Sequence, residues 1–119
     1  TETSGSPYTT NTGAWSVLVD STGSYVYVAN RTAGTISAFL LTNTGALTAV
    51  SGSPFATGSL PVALVEDKTK AYIAVVCSGG NSDLQVFSIS STTPGALTSF
   101  ATAKTGTDPT SASSLAATF

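Results

Sequence analysis

Short runs of β-branched and aromatic residues alternate with clusters of Gly, Ser, Thr, Asn and Asp along the chain, and no long stretch keeps apolar positions at helical spacing. Residues 15–19 (Trp-Ser-Val-Leu-Val) are apolar nearly throughout, which predicts a strand covered on both faces. Asp20-Ser-Thr-Gly23 follows as a turn, its Asp able to bond backbone amides and its Gly free to take positive φ. A second strand is predicted over 25–29, a turn over 30–34 and a third strand over 35–41. In that third strand Ile36 and Phe39 break strict alternation, so either a bulge or burial on both sides is expected. Asn43-Thr-Gly45 closes the hairpin and a shorter fourth strand spans 46–50.

The order then repeats. Ser4-Gly5-Ser6-Pro7 returns as Ser51-Gly52-Ser53-Pro54, Asp20 as Asp67 and Tyr25 as Tyr72, a spacing of 47 in each case. The second unit predicts strands at 62–65, 71–76, 84–89 and 96–100, with longer loops at Cys77–Ser82 and Ser90–Gly95, where hairpin length varies freely. A period of about 40–50 residues built from short strands signals an array whose units bury their faces only by stacking. The expected fold is therefore all-β, with antiparallel four-stranded propeller-type blades: about two blades, units 4–50 and 51–100, plus partial blades at both ends. Thr1–Tyr8 matches the tail of a unit, and Asp108–Phe119, within the partial unit 101–119, matches the opening strand of another. Two blades alone leave two broad apolar faces open, so contact with other copies or with the remainder of a propeller is expected.

Tyr27-Val-Ala-Asn30, Gly34-Thr-Ile-Ser-Ala-Phe39, Gly45-Ala-Leu-Thr48 and Ser51-Gly-Ser-Pro-Phe55 together resemble the blade signature of seven-bladed lactonase-type propellers. That group includes 6-phosphogluconolactonase-like proteins and the surface-protein repeats named for a Tyr-Val-Thr-Asn motif. The resemblance covers nearly the whole chain and implies sugar-lactone hydrolysis as one candidate activity. The second unit departs from it, with Ala74-Val-Val-Cys77 in place of Tyr27-Val-Ala-Asn30.

Composition narrows the partners. Only 8% of residues are charged and the net charge is −2, so the polar surface is made mostly of Ser, Thr, Asn and Gly. The cations Arg31, Lys68, Lys70 and Lys104 are scattered, which argues against nucleic acid or an anionic membrane. No apolar run is long enough for a membrane-spanning helix. The first residue is Thr1, and no basic n-region with an apolar h-region follows it, so a mature extracellular or cell-surface segment is expected ahead of a trimmed cytosolic one. Cys77 is the sole cysteine; a buried inert thiol is the simplest reading, with an intermolecular disulfide or a reactive thiol as the alternatives, the latter without a His to activate it.

No catalytic, cofactor-binding or metal-binding residue emerges. Lactone opening needs a general base, a donor for the carbonyl oxygen and, for a phosphorylated substrate, clustered cations. The chain has no His, and its many Ser and Thr have no neighbour that could activate them. Glu66-Asp67 is an adjacent carboxylate pair at a predicted turn, where Asp67 aligns with the turn residue Asp20, so a solvated turn is expected rather than catalysis; neighbours in extended backbone also point to opposite sides. Asn81-Ser-Asp83 offers oxygens for Ca²⁺ without the further ligands a dedicated site requires. Asn30-Arg-Thr32 fits a glycosylation sequon, although the blade motif itself explains Asn30. Trp15, Tyr25, Tyr27, Phe39, Tyr72 and Phe87 are assigned to packing between blades, while Tyr8 and Phe55 are freer to be exposed.

Two functions follow. The first is a non-catalytic structural or interaction module that self-assembles through open blade faces and terminal strands, head to tail, as a ring or a filament. The second is a piece of a lactonase-like enzyme acting on a sugar lactone. No cofactor is expected for either, and a carbohydrate ligand stays open.

Overall fold

The structure, a computed structural model, describes residues 5–79 and 83–103. Nine strands form two antiparallel sheets with no helix among the described residues: β1 (Ala14–Val19), β2 (Tyr25–Asn30), β3 (Thr35–Leu41), β4 (Leu47–Ala49), β5 (Phe55–Ala56), β6 (Ser59–Glu66), β7 (Tyr72–Gly79), β8 (Leu84–Ile89) and β9 (Leu97–Ala103). The first sheet runs β1-β2-β3-β4 and the second β6-β7-β8-β9, each a meander in sequence order. β5 adds to the first sheet beside β3, pairing Ile36 with Phe55. The terminal segment assigned to a further blade, Asp108–Phe119, lies outside the described residues.

Register decides which residues share a face. Val19, Val26 and Phe39 stand opposite one another across β1, β2 and β3, as do Val17, Val28 and Ser37; Leu18, Tyr27 and Ala38 stand on the reverse face. In the second sheet Glu66, Ile73 and Phe87 share one face, with Leu64, Val75 and Gln85 beside them. The core lies between the sheets. Tyr27, Ala29, Ile36, Ala38 and Val50 of the first meet Leu64, Ile73, Val75, Cys77, Phe87 and Leu97 of the second. β3 keeps continuous register, and Ile36, Ser37, Ala38 and Phe39 are all buried, so its broken alternation reflects two-sided burial rather than a bulge.

Each sheet carries the same Asp-anchored turn after its first strand. Asp20 Oδ1 accepts the amides of Ser24 and Tyr25 at 2.8 Å each, and Thr22 Oγ1 donates to Oδ2. Asp67 Oδ1 accepts the amides of Ala71 at 3.1 Å and Tyr72 at 2.9 Å, and Thr69 caps Oδ2. The left-handed residue of the turn is Gly23 (φ 71) in the first copy and Lys70 (φ 62) in the second. Both Ser-Gly-Ser-Pro loops contain a cis Ser-Pro bond, Ser6-Pro7 and Ser53-Pro54.

These turns are expected to make the chain acid-sensitive. Burial opposes ionisation of Asp20, but the donors from Thr22, Tyr25 and Ser24 outweigh it and hold the carboxyl below its ordinary value of 3.8. The Thr69 hydroxyl, helped by turn amides, does the same for Asp67. Carboxyls that titrate lower when folded contribute fully above their unfolded value and lose that contribution as the pH falls through the folded one. The urea midpoint is therefore expected to hold steady down to about pH 4 and drop below it. In D20N it should start lower at neutral pH and fall less steeply in acid; identical acid limbs in the two proteins would mean that Asp20 is not a source of the sensitivity.

Candidate functional site

Two features stand out: a cleft between the sheets and an open face on the first. The cleft is formed where the β2–β3 turn (Thr32, Ala33, Gly34) faces Thr57, Gly58 and the first residues of β6 (Ser59, Leu60), an open hollow of about 390 Å³. A backbone bond from Thr57 N to Gly34 O (2.9 Å) ties the two loops together. Gly58 N is drawn to Gln85 Oε1 at 2.7 Å, and Leu60 takes φ 56, unusual for a branched residue. The lining offers hydroxyls and amides and no ionisable side chain. It can hydrogen-bond a neutral, hydroxyl-rich ligand, but it holds no base to activate water. Arg31, one residue before the cleft, turns instead to Trp15, its guanidinium carbon 4.9 Å from the ring centroid.

The carboxylate pair separates. Glu66, expected beside Asp67 in a solvated turn, ends β6 as a buried residue, and its Oε1 accepts Ser21 N of the first sheet at 3.0 Å. It thus bridges the blades, while Asp67 anchors its turn. Asn30 is fully buried, its Nδ2 donating to Thr35 Oγ1 at 3.1 Å and Ser37 Oγ at 2.9 Å. The sequon is therefore inaccessible in the folded chain. At the matching position Cys77 is also fully buried, with Sγ 4.0 Å from Gln85 Oε1 and burial pushing the thiol pKa up, as an inert thiol requires. Asp83 is buried at the head of β8, and the other residues of the Asn81-Ser-Asp83 segment, expected to be a polar turn rather than a Ca²⁺ site, lie outside the described residues. Among the described residues no three His, Cys, Asp or Glu side chains group to hold a metal. Phe55 is half-buried against the core rather than exposed, and Tyr8 is half-buried as well.

The open face differs most from expectation. The apolar run of β1 predicts cover on both sides, yet Trp15, Val17 and Val19 are 57%, 65% and 52% exposed, and an apolar hollow lined by Trp15, Val17 and Val28 opens between them. Their counterparts 47 positions on are Val62, Leu64 and Glu66, which are 2%, 7% and 4% exposed, on a strand that packs against the first sheet through Leu64 and Glu66. Even the irregularity recurs, a register shift between Ala14 and Ser16 and another between Pro61 and Ala63. The first sheet thus presents to solvent the same face that the second presents to the first.

Identical stacking of four-stranded meanders, each turned the same way upon the last, defines a pair of β-propeller blades. The chain belongs to the lactonase family of seven-bladed β-propellers, whose family model matches residues 1–113. It is similar to a solved protein from Lactobacillus plantarum, with TM-score 0.71 and 25% identity over 91% of this chain and 31% of that one. It is also similar to a protein from Bacteroides fragilis NCTC 9343 described as a candidate 6-phosphogluconolactonase, with TM-score 0.70 and 25% identity over 82% of this chain and 27% of that one. The chain therefore spans about a third of the length of these structures. It matches none of the curated proteins.

Proposed function

We propose that this chain is a blade-docking module: a two-blade sector of a lactonase-type propeller that acts by receiving further blades on its open faces and brings no catalytic set of its own. The observation that carries the reading is the contrast between Trp15, Val17 and Val19, exposed, and Val62, Leu64 and Glu66, buried at the same blade positions. Apolar side chains on a regular sheet face are stable in water only while few, and the fold already contains the partner that such a face accepts. Other copies of the chain, joined head to tail, are one source of blades. Heterologous contacts of this kind close into a ring when the rotation allows and otherwise run on as a filament. The blades of a longer polypeptide are the other source. An extracellular or cell-surface setting belongs to the same proposal, resting on a surface with few charges.

Sugar-lactone hydrolysis is the second reading. The family match and the relative described as a candidate 6-phosphogluconolactonase favour it, and the uncharged cleft between the blades would contribute hydroxyls to a site whose base comes from other blades.

Sedimentation equilibrium tests the docking reading. The chain is expected to exceed its 11.8 kDa monomer mass as its concentration rises, and V17R, which places a charge on the open face, should hold it at that mass. A wild-type mass of 11.8 kDa at every concentration would sink self-assembly. Lactone hydrolysis by the chain alone would revive the enzyme.

A further inference from the structure

The contact between the two blades shows what the open face of the first is shaped to receive. On the second blade the turn and strand Gly95-Ala96-Leu97 are buried, because Tyr25, Tyr27 and Val50 of the first blade lie on them. Tyr27 is fully buried, and its Oη donates to Gly95 O at 3.1 Å across the interface. The first blade carries the same three residues in the same place, Gly45-Ala46-Leu47, with Gly45 again at positive φ (85, against 83 for Gly95). There they are only half-buried. A second cross-blade bond, from Ser21 N to Glu66 Oε1, cannot be repeated at this face, because Val19 stands where Glu66 does. The Gly45 carbonyl, at the position of Gly95 O, can be repeated as a polar anchor.

A second copy of the chain would approach with its second blade. That blade offers Tyr72, Ala74 and Phe100 where the first offers Tyr25, Tyr27 and Val50. Phe100 is 64% exposed and leans on Tyr72, with ring centroids 5.0 Å apart. Apolar area is present, but at Ala74 there is neither a phenol ring to fill the interface nor a hydroxyl to reach the carbonyl.

We infer that the partner of the first blade's open face is a propeller blade bearing a tyrosine in the middle of its second strand, whose hydroxyl hydrogen-bonds the Gly45 carbonyl, and that a second copy of this chain fits that face less well. The inference rests on the docking reading above and adds the identity of the partner. The open face selects among blades by one side chain: a tyrosine blade satisfies the carbonyl and fills the space above Gly45, whereas an alanine blade leaves both unmet.

The test grafts the first blade's contact set onto the second in the full chain, as the double variant A74Y/F100V, with A74F/F100V as the control that keeps the ring and omits the hydroxyl. Both positions lie on the partly exposed face of the second blade, and near-ultraviolet circular dichroism checks that the fold is retained. Self-association measured by sedimentation should be about tenfold or more tighter for A74Y/F100V than for the wild type, with A74F/F100V several-fold weaker than the tyrosine graft. Adding V17R to the graft should abolish the gain. If the wild type associates through the V17R-sensitive face but the graft is no tighter, or the two grafts bind alike, the tyrosine inference is overturned and the docking reading stands. If association is absent in wild type and graft, or is insensitive to V17R, the docking reading falls and the inference with it.

Discussion

Tyr27→Ala is expected to destabilise the chain by about 3–5 kcal/mol, the range for removing a large buried aromatic side chain. Tyr27 is the largest of the fully buried side chains and sits between the blades rather than within one. Its removal opens a void against the second blade and strips the Gly95 carbonyl of its donor. Tyr27→Phe separates the two effects. It keeps the ring and should cost about 1 kcal/mol, the usual net worth of one buried hydrogen bond. Burial and the nearby acids Asp20 and Glu66 push the Tyr27 hydroxyl far above its ordinary pKa, so it remains a donor through the whole neutral range. Urea unfolding followed by Trp15 fluorescence, which reports on the first blade, and by far-ultraviolet circular dichroism, which reports on both, provides the measurement. In Y27A the two probes should separate as the blades lose their coupling. Coincident transitions with a loss under about 1 kcal/mol would mean that Tyr27 does not join the blades.

The blades themselves were legible because strand and turn signals are local. Asp20 and Asp67 anchor equivalent turns, and β2, β3 and β8 fall within a residue or so of the stretches that alternation and β-branched content mark. What escaped is non-local or carried by backbone. β6 starts at Ser59 rather than residue 62: Pro61 and the left-handed Leu60 read as loop, yet Ser59 and Pro61 pair with Gly79 and Cys77 across a bulge. The same pairing extends β7 to Gly79, into the loop expected from Cys77. β5 is two residues long and exists only because β3 offers it an edge. Glu66 looked like a turn residue, since nothing nearby in sequence reveals that Ser21 N will meet it from the other blade. The cleft has no sequence signature at all, being built from hydroxyls and backbone of two loops brought together by stacking. The exposure of Trp15, Val17 and Val19 was hidden for the opposite reason: their apolar pattern describes a covered strand, and the cover is a further blade.

Gly95→Ala should cost about 2–4 kcal/mol, combining left-handed strain with overpacking. Gly95 has φ +83, and a Cβ there would lie 2.5 Å from Tyr25 Cδ1, 2.6 Å from Tyr25 Cε1 and 3.1 Å from Val50 Cγ2. All three contacts belong to the first blade, so the methyl group wedges the interface rather than its own sheet. Gly23→Ala is the matched control. Its φ is +71, a Cβ meets nothing within 4 Å, and Lys70 already adopts the same conformation at the equivalent turn. Only the strain applies there, about 1 kcal/mol. The difference between the two variants measures how closely the blades approach at Gly95, independently of the conformational cost they share. If urea denaturation finds the two equally destabilised, the second blade does not lie against Tyr25. Both the docking reading and the role given to Tyr27 would then have to be abandoned, because each takes the contact at Gly95 as its template for the open face at Gly45.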